Sequence, residues 1–448
     1  MARSLLERIK DAGVVGAGGA GFPAHIKINN PAEVVIANGA ECEPLLRVDQ
    51  QIMELYADKI VEGLRIAMEI SNARNGVICL KEKYHNAIKK LKEAISCSNN
   101  KSISIHLVGN YYPAGDEQQI VYEVTGKVVP LGGLPIDVGA IVCNVGTLLN
   151  IAEAADGKPV TTKFVTITGE VQNPVTLNVP IGTPIKKLIE IAGGPENKKG
   201  YSIILGGPAM GKVESDWMTP VTKTLGGVIV LPEDHLIVKK KTSTLEKDYR
   251  LAKSVCCQCN YCTQLCPRNA LGLGVEPHKI MRAAGYGEPS LAGDINTVFG
   301  CCDCGLCTYF ACNMGLTPGK MVTAIKTGLA KKGIRPEKTT PFKVSDSREY
   351  KLVPVKRFLE RLGLGKYDLA APINAQPIDV FEIKIPLKQH IGVPAVPVVK
   401  SGDHVKKGDL IGIIEEGKLG SNIHAGISGL ITGISEQYIE ISVPGGQG

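Results

Sequence analysis

Along residues 1–155, helical apolar spacing alternates with short continuous apolar runs. "SLLERIKDAG" (4–13), "ADKIVEGLRIAMEISNA" (57–73) and "HNAIKKLKEAISC" (85–97) repeat their apolar residues at three- and four-residue steps, which predicts amphipathic helices. "AEVVIANGAE" (32–41), "NGVICLKEKY" (75–84) and "SISIHLVGN" (102–110) are runs too short for helices and read as buried strands. Strand and helix in alternation favour a largely parallel sheet, with functional loops at its carboxyl edge.

The pattern changes at 160–235. "KFVTITGEVQNPVTLNVPIGTPIKKLIEIAGG" (163–194) predicts two strands joined at "QNP", then one short helix closed by paired glycines, a small α+β module. "LIVKKKTSTLEKDYR" (236–250) reads as a solvated linker. Residues 331–378 are basic and Pro-rich, with one helix near "PVKRFLERLG", and read as connection. Residues 379–443 return to short strands. The expected organisation is multidomain α/β and α+β: 1–158, 160–235, 245–330, a 331–378 linker, and 379–443.

Composition narrows the function. A net charge of +7 with 5% aromatic residues lacks the footprint of nucleic-acid binding. No run approaches the ~18 apolar residues of a transmembrane helix. The N-terminal "MARSLLERIKDAGVV" has no signal-peptide core, so a cytoplasmic protein is expected. Ten of 14 cysteines lie in two runs, "VCCQCNYCTQLCP" (255–267) and "CCDCGLCTYFAC" (301–312). In a chain of this size, such clustering reads as metal ligation rather than a disulfide scaffold.

The first run contains Cys256-x2-Cys259-x2-Cys262-x3-Cys266-Pro267, the bacterial ferredoxin spacing for a 4Fe–4S cluster. The second gives Cys301-x2-Cys304-x2-Cys307-x4-Cys312, with Asn313 where the proline would stand. In two-cluster proteins the last cysteine of each run ligates the other cluster, so Cys312 should complete the first and Cys266 the second. Paired C-x2-C steps also build structural zinc sites, but two ferredoxin-type quartets favour clusters. Cys257 and Cys302 do not fit the x2 step and are expected to be small buried residues. Cys42, Cys79, Cys97 and Cys143 read as isolated core thiols.

"GAGGAGFP" (16–23) holds Gly16-x-Gly18-x-x-Gly21. The segment before it reads as helical, which argues against a standard dinucleotide fold. Its small residues still let backbone N–H groups approach a phosphate or a flat ring. A tight structural turn is the alternative. "GAGGAGFPAHIK" resembles the flavin loop of the NADH- and FMN-binding subunit of respiratory complex I. "NGAECEP" (38–44), "GDEQQIVYEVTGK" (115–127) and "CNVGTL" (143–148) resemble further segments of that family, with Gly146 where the family has an acid. Residues 163–215 resemble the soluble-ligand-binding β-grasp module. "GGPAMG" (206–211) and the two quartets resemble the C subunit of Rnf electron-transport complexes. "KSGDHVKKGDLIGII" (400–414) resembles a biotinyl/lipoyl-type barrel-sandwich half-motif, without the usual pattern around Lys418, so no prosthetic arm is expected there. Its place at the C-terminal end, not the start, is similar to the cobalamin (corrinoid) reductases of propanediol-utilisation microcompartments.

The resemblance implies an α/β flavin/NADH domain, a β-grasp module, a helical dicluster ferredoxin domain and a C-terminal barrel-sandwich domain. It implies FMN, two 4Fe–4S clusters and NADH as donor. Gly16, Gly18, Gly19, Gly21 and Phe22 would shape the FMN loop. Lys27 would meet the phosphate or ribityl chain, and Asn38, Asn144 and Thr147 would complete the flavin site. Glu41, Glu43 and Glu117 would line the nicotinamide side as the catalytic acids. The acceptor would be a corrinoid, with an adenosyltransferase as partner and a microcompartment as setting. Alternatively it would be a one-electron protein acceptor such as a small iron–sulfur protein, in an Rnf-like assembly with peripheral membrane association or in an electron-transfer system tied to proline reduction. A relay without NADH activity is the third reading.

Overall fold

The computed structural model describes residues 4–98 and 100–445. The first unit is built on four parallel strands, in the order β3 (Ile103–Val108), β2 (Asn75–Lys81), β1 (Val34–Gly39) and β5 (Ala140–Asn144). The predicted runs form these strands because their Val, Ile and Ala side chains are shielded on both faces by helices. Val35 and Ile36 are both fully buried, one packed into each of two separate cores. The carboxyl ends of β1 and β5 lie side by side, Asn38 opposite Asn144. The asparagines expected at the flavin therefore meet at the sheet edge where α/β folds bind ligands.

The second unit is a six-stranded sheet ordered β12-β7-β6-β10-β8-β9. Its strands are β6 (Thr162–Gly169), β7 (Val175–Pro180), β8 (Tyr201–Leu205), β9 (Lys212–Glu214), β10 (Gly227–Pro232) and β12 (Ile373–Pro377). The expected short helix is present at Ile185–Ile191. The C-terminal unit is two small sheets, one built around the strands Gly429–Ile434 and Tyr438–Ser442. Lys418 sits there in an exposed turn.

Two segments read as linkers are packed structure instead. β12 pairs in parallel with β7. The strand Val353–Pro354 pairs with Tyr111–Tyr112 of the first unit. The helix Val355–Leu362 buries Val355, Phe358, Leu359 and Leu362, one face at helical spacing. Phe358 stacks on Tyr112, ring centroids 4.5 Å apart. Residues 236–250 fold as the helix Leu236–Thr242 and the start of another at Leu245–Val255. Lys241 there donates to the carbonyls of Ala209 (2.8 Å) and Gly211 (2.6 Å). Sequence polarity misled at 236–250 because lysine stems there cover apolar surface while the ammonium groups find carbonyls.

One buried lysine joins three units. Lys223, 2% exposed, donates to the carbonyls of Gly13 and Asn422, each at 2.7 Å. Gly13 precedes the glycine loop, Lys223 belongs to the β-grasp unit, and Asn422 to the C-terminal unit.

Candidate functional site

Residues 16–23 close on themselves. Gly16 N donates to Phe22 O (2.9 Å), Gly21 N donates to Gly16 O (3.2 Å), and Val15 bridges Pro23. The loop is then held from three sides. Ala17 N donates to Thr147 Oγ1 (2.9 Å), on the helix Val145–Ala155. Lys163 Nζ, from β6, donates to Ala17 O (2.7 Å). Ile391 N, from the C-terminal unit, donates to Gly21 O (3.0 Å). Gly21 has φ +67° and lies against His390 and Thr224. Gly18 lies against Asn144, whose Cβ would stand 3.2 Å from a side-chain carbon placed there. Gly19, at φ +113°, has nothing within 4 Å of where its Cβ would be. The loop thus presents bare backbone to open space at Gly19 and is packed at Gly18 and Gly21.

The other expected residues sort into two groups. Asn38 Nδ2 donates to Gly115 O (2.9 Å), and Asn144 Nδ2 donates to Asp49 Oδ2 (2.8 Å). Lys27 pairs with Glu117 at 2.7 Å, joining the residues after the loop to the start of the helix Glu117–Thr125. Glu41 Oε1 accepts from Asp49 N (3.3 Å), while its buried Oε2 has no partner. A buried carboxyl oxygen left open just beyond the carboxyl end of β1 is what a bound flavin or nicotinamide amide would satisfy. These residues fit FMN.

Glu43 behaves differently. Its oxygens accept from Ala209 N (2.8 Å) and Met210 N (3.2 Å), and lie 3.0 Å from the Tyr112 hydroxyl. It braces the "GGPAMG" loop rather than offering a free carboxylate to a nicotinamide. The motif is glycine at 207 because a side chain there would collide with Glu43.

Burial and the neighbouring Asp49 carboxylate push Glu41 up to about 8, and burial pushes Asp49 up to about 6. Arg47, Lys81 and, for Asp49, Lys163 pull the other way. From pH 4.5 to about 8 the folded chain therefore holds a proton on Glu41 that the unfolded chain has released. Its contribution to stability falls as pH rises through that window. Glu41→Gln should remove about 2 kcal/mol of this fall. Urea unfolding of flavin-free protein at pH 5 and pH 8 checks it. An unchanged pH dependence would show Glu41 already ionised in the fold.

The ferredoxin-type runs fold back on each other. Cys262 is surrounded by Cys312, Cys256 and Cys259, and burial followed by these thiols pushes it up to about 12. Cys307 faces Cys301, Cys266 and Cys262. A cavity of about 680 Å³ is lined by Cys266, Cys301, Cys304 and Cys307 together with Arg268, Lys241 and Lys320. Among the described residues, no three His, Cys, Asp or Glu side chains are close enough to share a single ion. Four cysteines around a volume, with cations on its wall, suit an anionic iron–sulfur cube. Of the extra cysteines, Cys302 is partly buried, near Cys304 and Arg268. Cys257 is exposed, not buried as expected, and Cys97, expected as a core thiol, is exposed at the end of the helix His85–Cys97.

Sequence reasoning missed Asp49, Lys163, Lys223 and Arg268. Arg268, in the position after Cys266-Pro267, pairs with Asp116 at 2.7 Å, and both side chains are only 10% exposed. Asp116 also caps the helix that begins at Glu117. One buried ion pair thus joins the flavin-loop unit to the cysteine unit.

Fold and site define a flavin- and iron–sulfur-dependent oxidoreductase. Family models match in the same order: a Nuo51 FMN-binding domain over residues 9–153, an SLBB domain over 164–213, a 4Fe-4S dicluster domain over 255–317, and an RnfC barrel sandwich hybrid domain over 367–443. The chain is 38% identical to the cobalamin reductase PduS of Citrobacter freundii, over 98% of this chain and 96% of that one. It is 39% identical, over the same shares, to cobalamin reductase PduS of Salmonella typhimurium. It belongs to the cobalamin reductase PduS family. The C subunit of the Na(+)-translocating ferredoxin:NAD(+) oxidoreductase complex of Acetobacterium woodii is 34% identical over 59% of this chain and 58% of its own length. In fold, the chain also resembles an NAD+-reducing NiFe-hydrogenase in the H2-reduced state, at 19% identity and a TM-score of 0.50, covering 74% of this chain and 62% of that one.

Proposed function

We propose that this chain oxidises NADH and passes the electrons singly, through two 4Fe–4S clusters, to a corrinoid, reducing cob(III)alamin to lower states. The observation that carries this reading is the joining of a bare glycine loop and two cysteine quartets in one packed body, through Asp116–Arg268. Bound flavin would supply the conversion of a hydride into single electrons. The chain's own residues bind and orient. The backbone of Gly16, Gly18, Gly19 and Gly21, with Phe22 beside it, forms the ring cradle. Asn38, Asn144 and Thr147 hold the sheet edge and loop in register. Lys27 offers a cation to the phosphate or ribityl chain, while sharing it with Glu117. Glu41 and Glu117 are the acids placed to meet the nicotinamide, and Asp49 and Lys163 set the charge behind the loop where Gly146 carries none. The cysteines assign as Cys256, Cys259, Cys262 and Cys312 for one cluster, and Cys266, Cys301, Cys304 and Cys307 for the other.

Among the described residues no helix is long and apolar enough to cross a membrane. We place the reaction in the cytoplasm or a microcompartment interior. The test is anaerobic NADH oxidation by the reconstituted protein with cob(III)alamin as sole acceptor. Flavin-dependent formation of cob(II)alamin, faster than with free FMN, is the expected result. Reduced flavin and clusters beside untouched corrinoid would move the acceptor to a protein partner, in keeping with the likeness to the A. woodii protein.

A further inference from the structure

We infer that the two quartets act in the reverse of their order along the chain. Electrons enter through Cys266, Cys301, Cys304 and Cys307, and leave through Cys256, Cys259, Cys262 and Cys312. This order rests on the proposed flavin and cluster sites.

Contacts from the flavin-loop unit fall on the entry quartet. The Tyr112 hydroxyl donates to the carbonyl of Cys304 itself (2.7 Å). Gln119 Nε2 donates to Pro267 O, immediately after Cys266 (2.9 Å). Arg268 pairs with Asp116, one residue before Glu117. Leu131 packs in one apolar cluster with Cys266 and Cys301. Cys266 and Cys304 are buried.

The exit quartet has different surroundings. Cys256 and Cys312, with Cys301 of the entry quartet beside them, pack on a core drawn from residues 252–329 of the cysteine unit, including Ala252, Ile280 and Met321, and neither of the two touches the apolar cluster of Leu131. Cys262 is buried, but Cys259 is the one exposed cysteine of the eight, and Tyr261 and Met314, each within two residues of a cysteine of this quartet, are 47% exposed. Electron tunnelling slows steeply with distance, so the quartet touching the flavin unit receives first and the quartet at the surface delivers. The balance closes. NADH becomes NAD+ by giving up a hydride, which is two electrons and one proton. The electrons cross singly, each reducing an entry cube, then an exit cube, then one acceptor such as cobalt(III) to cobalt(II). The proton goes to solvent.

Cys304→Ser and Cys259→Ser test the order. Each should retain about half the wild-type iron, and dithionite should reveal the surviving cluster by electron paramagnetic resonance. With NADH in place of dithionite, the surviving cluster of Cys259→Ser should be reduced as fast as in wild type. In Cys304→Ser the flavin should bleach while the surviving cluster is reduced at least ~100-fold more slowly, since its neighbour is gone. Cys312→Ser and Cys301→Ser repeat the pair if either first variant fails to fold. The opposite pattern, or equal rates in both variants, overturns the order. Wild-type clusters that NADH does not reduce would overturn the whole pathway, and the order with it.

Discussion

Gly19→Trp should abolish FMN binding while leaving the iron content and the fold intact. The indole would enter the open space above the loop, since no atom lies within 4 Å of where a Cβ would begin. The flat ring proposed to bind there would be displaced. The substitution also carries backbone strain, because φ is +113°, at a cost of about 1–3 kcal/mol. Gly333→Trp is the control: φ is +78° and its Cβ also has nothing within 4 Å, in a turn far along the chain. It should bear comparable strain and bind FMN normally. Fluorescence titration should show affinity lowered at least ~100-fold in Gly19→Trp, a loss of about 2.7 kcal/mol. Full retention would remove the flavin from this loop.

Lys223→Ala should destabilise the chain by about 3–5 kcal/mol, through two orphaned carbonyls and a cavity where the stem lay. Lys223→Met fills the cavity but not the hydrogen bonds, and should lose roughly half as much. Burial pushes the Lys223 ammonium down to about 7, from an ordinary 10.5. Between those values the unfolded chain holds a proton that the folded chain lacks, so this lysine's contribution to stability rises with pH across that window. His390 and His424, both held low by burial and then by Lys223, lie in the same junction and titrate well below it. Both variants should flatten the rise measured by urea unfolding from pH 7.5 to 9.5. Because Gly13 leads into the glycine loop, FMN affinity should weaken as well. A variant as stable as wild type would show that the three units do not depend on this tie.

Chemistry written in adjacent residues was legible without coordinates. The x2 cysteine steps, the run of small residues at 16–21 and the strand–helix alternation to residue 155 are local patterns with local causes. Chemistry that depends on which way a side chain faces was not legible. Glu41 and Glu43 stand two residues apart in one turn. One keeps an unpartnered oxygen, and the other is consumed by the backbone of Ala209 and Met210. The helix Val355–Leu362 carried its own signal in four apolar residues at helical spacing. It was expected from that spacing, but nothing local said that it would pack into a core or that Tyr112 was its partner.

Linear spacing was enough for the iron–sulfur class and the order of the units, because positions along a backbone limit what one loop can ligate. Folding supplied the rest. It brought Thr147, Lys163 and Ile391 from three units onto one glycine loop, turned Glu43 from candidate acid into brace, and set Arg268 against Asp116. Those contacts join residues more than a hundred positions apart in most cases. They are selected by burial of whole faces and by the pairing of buried polar groups, and no local pattern encodes either.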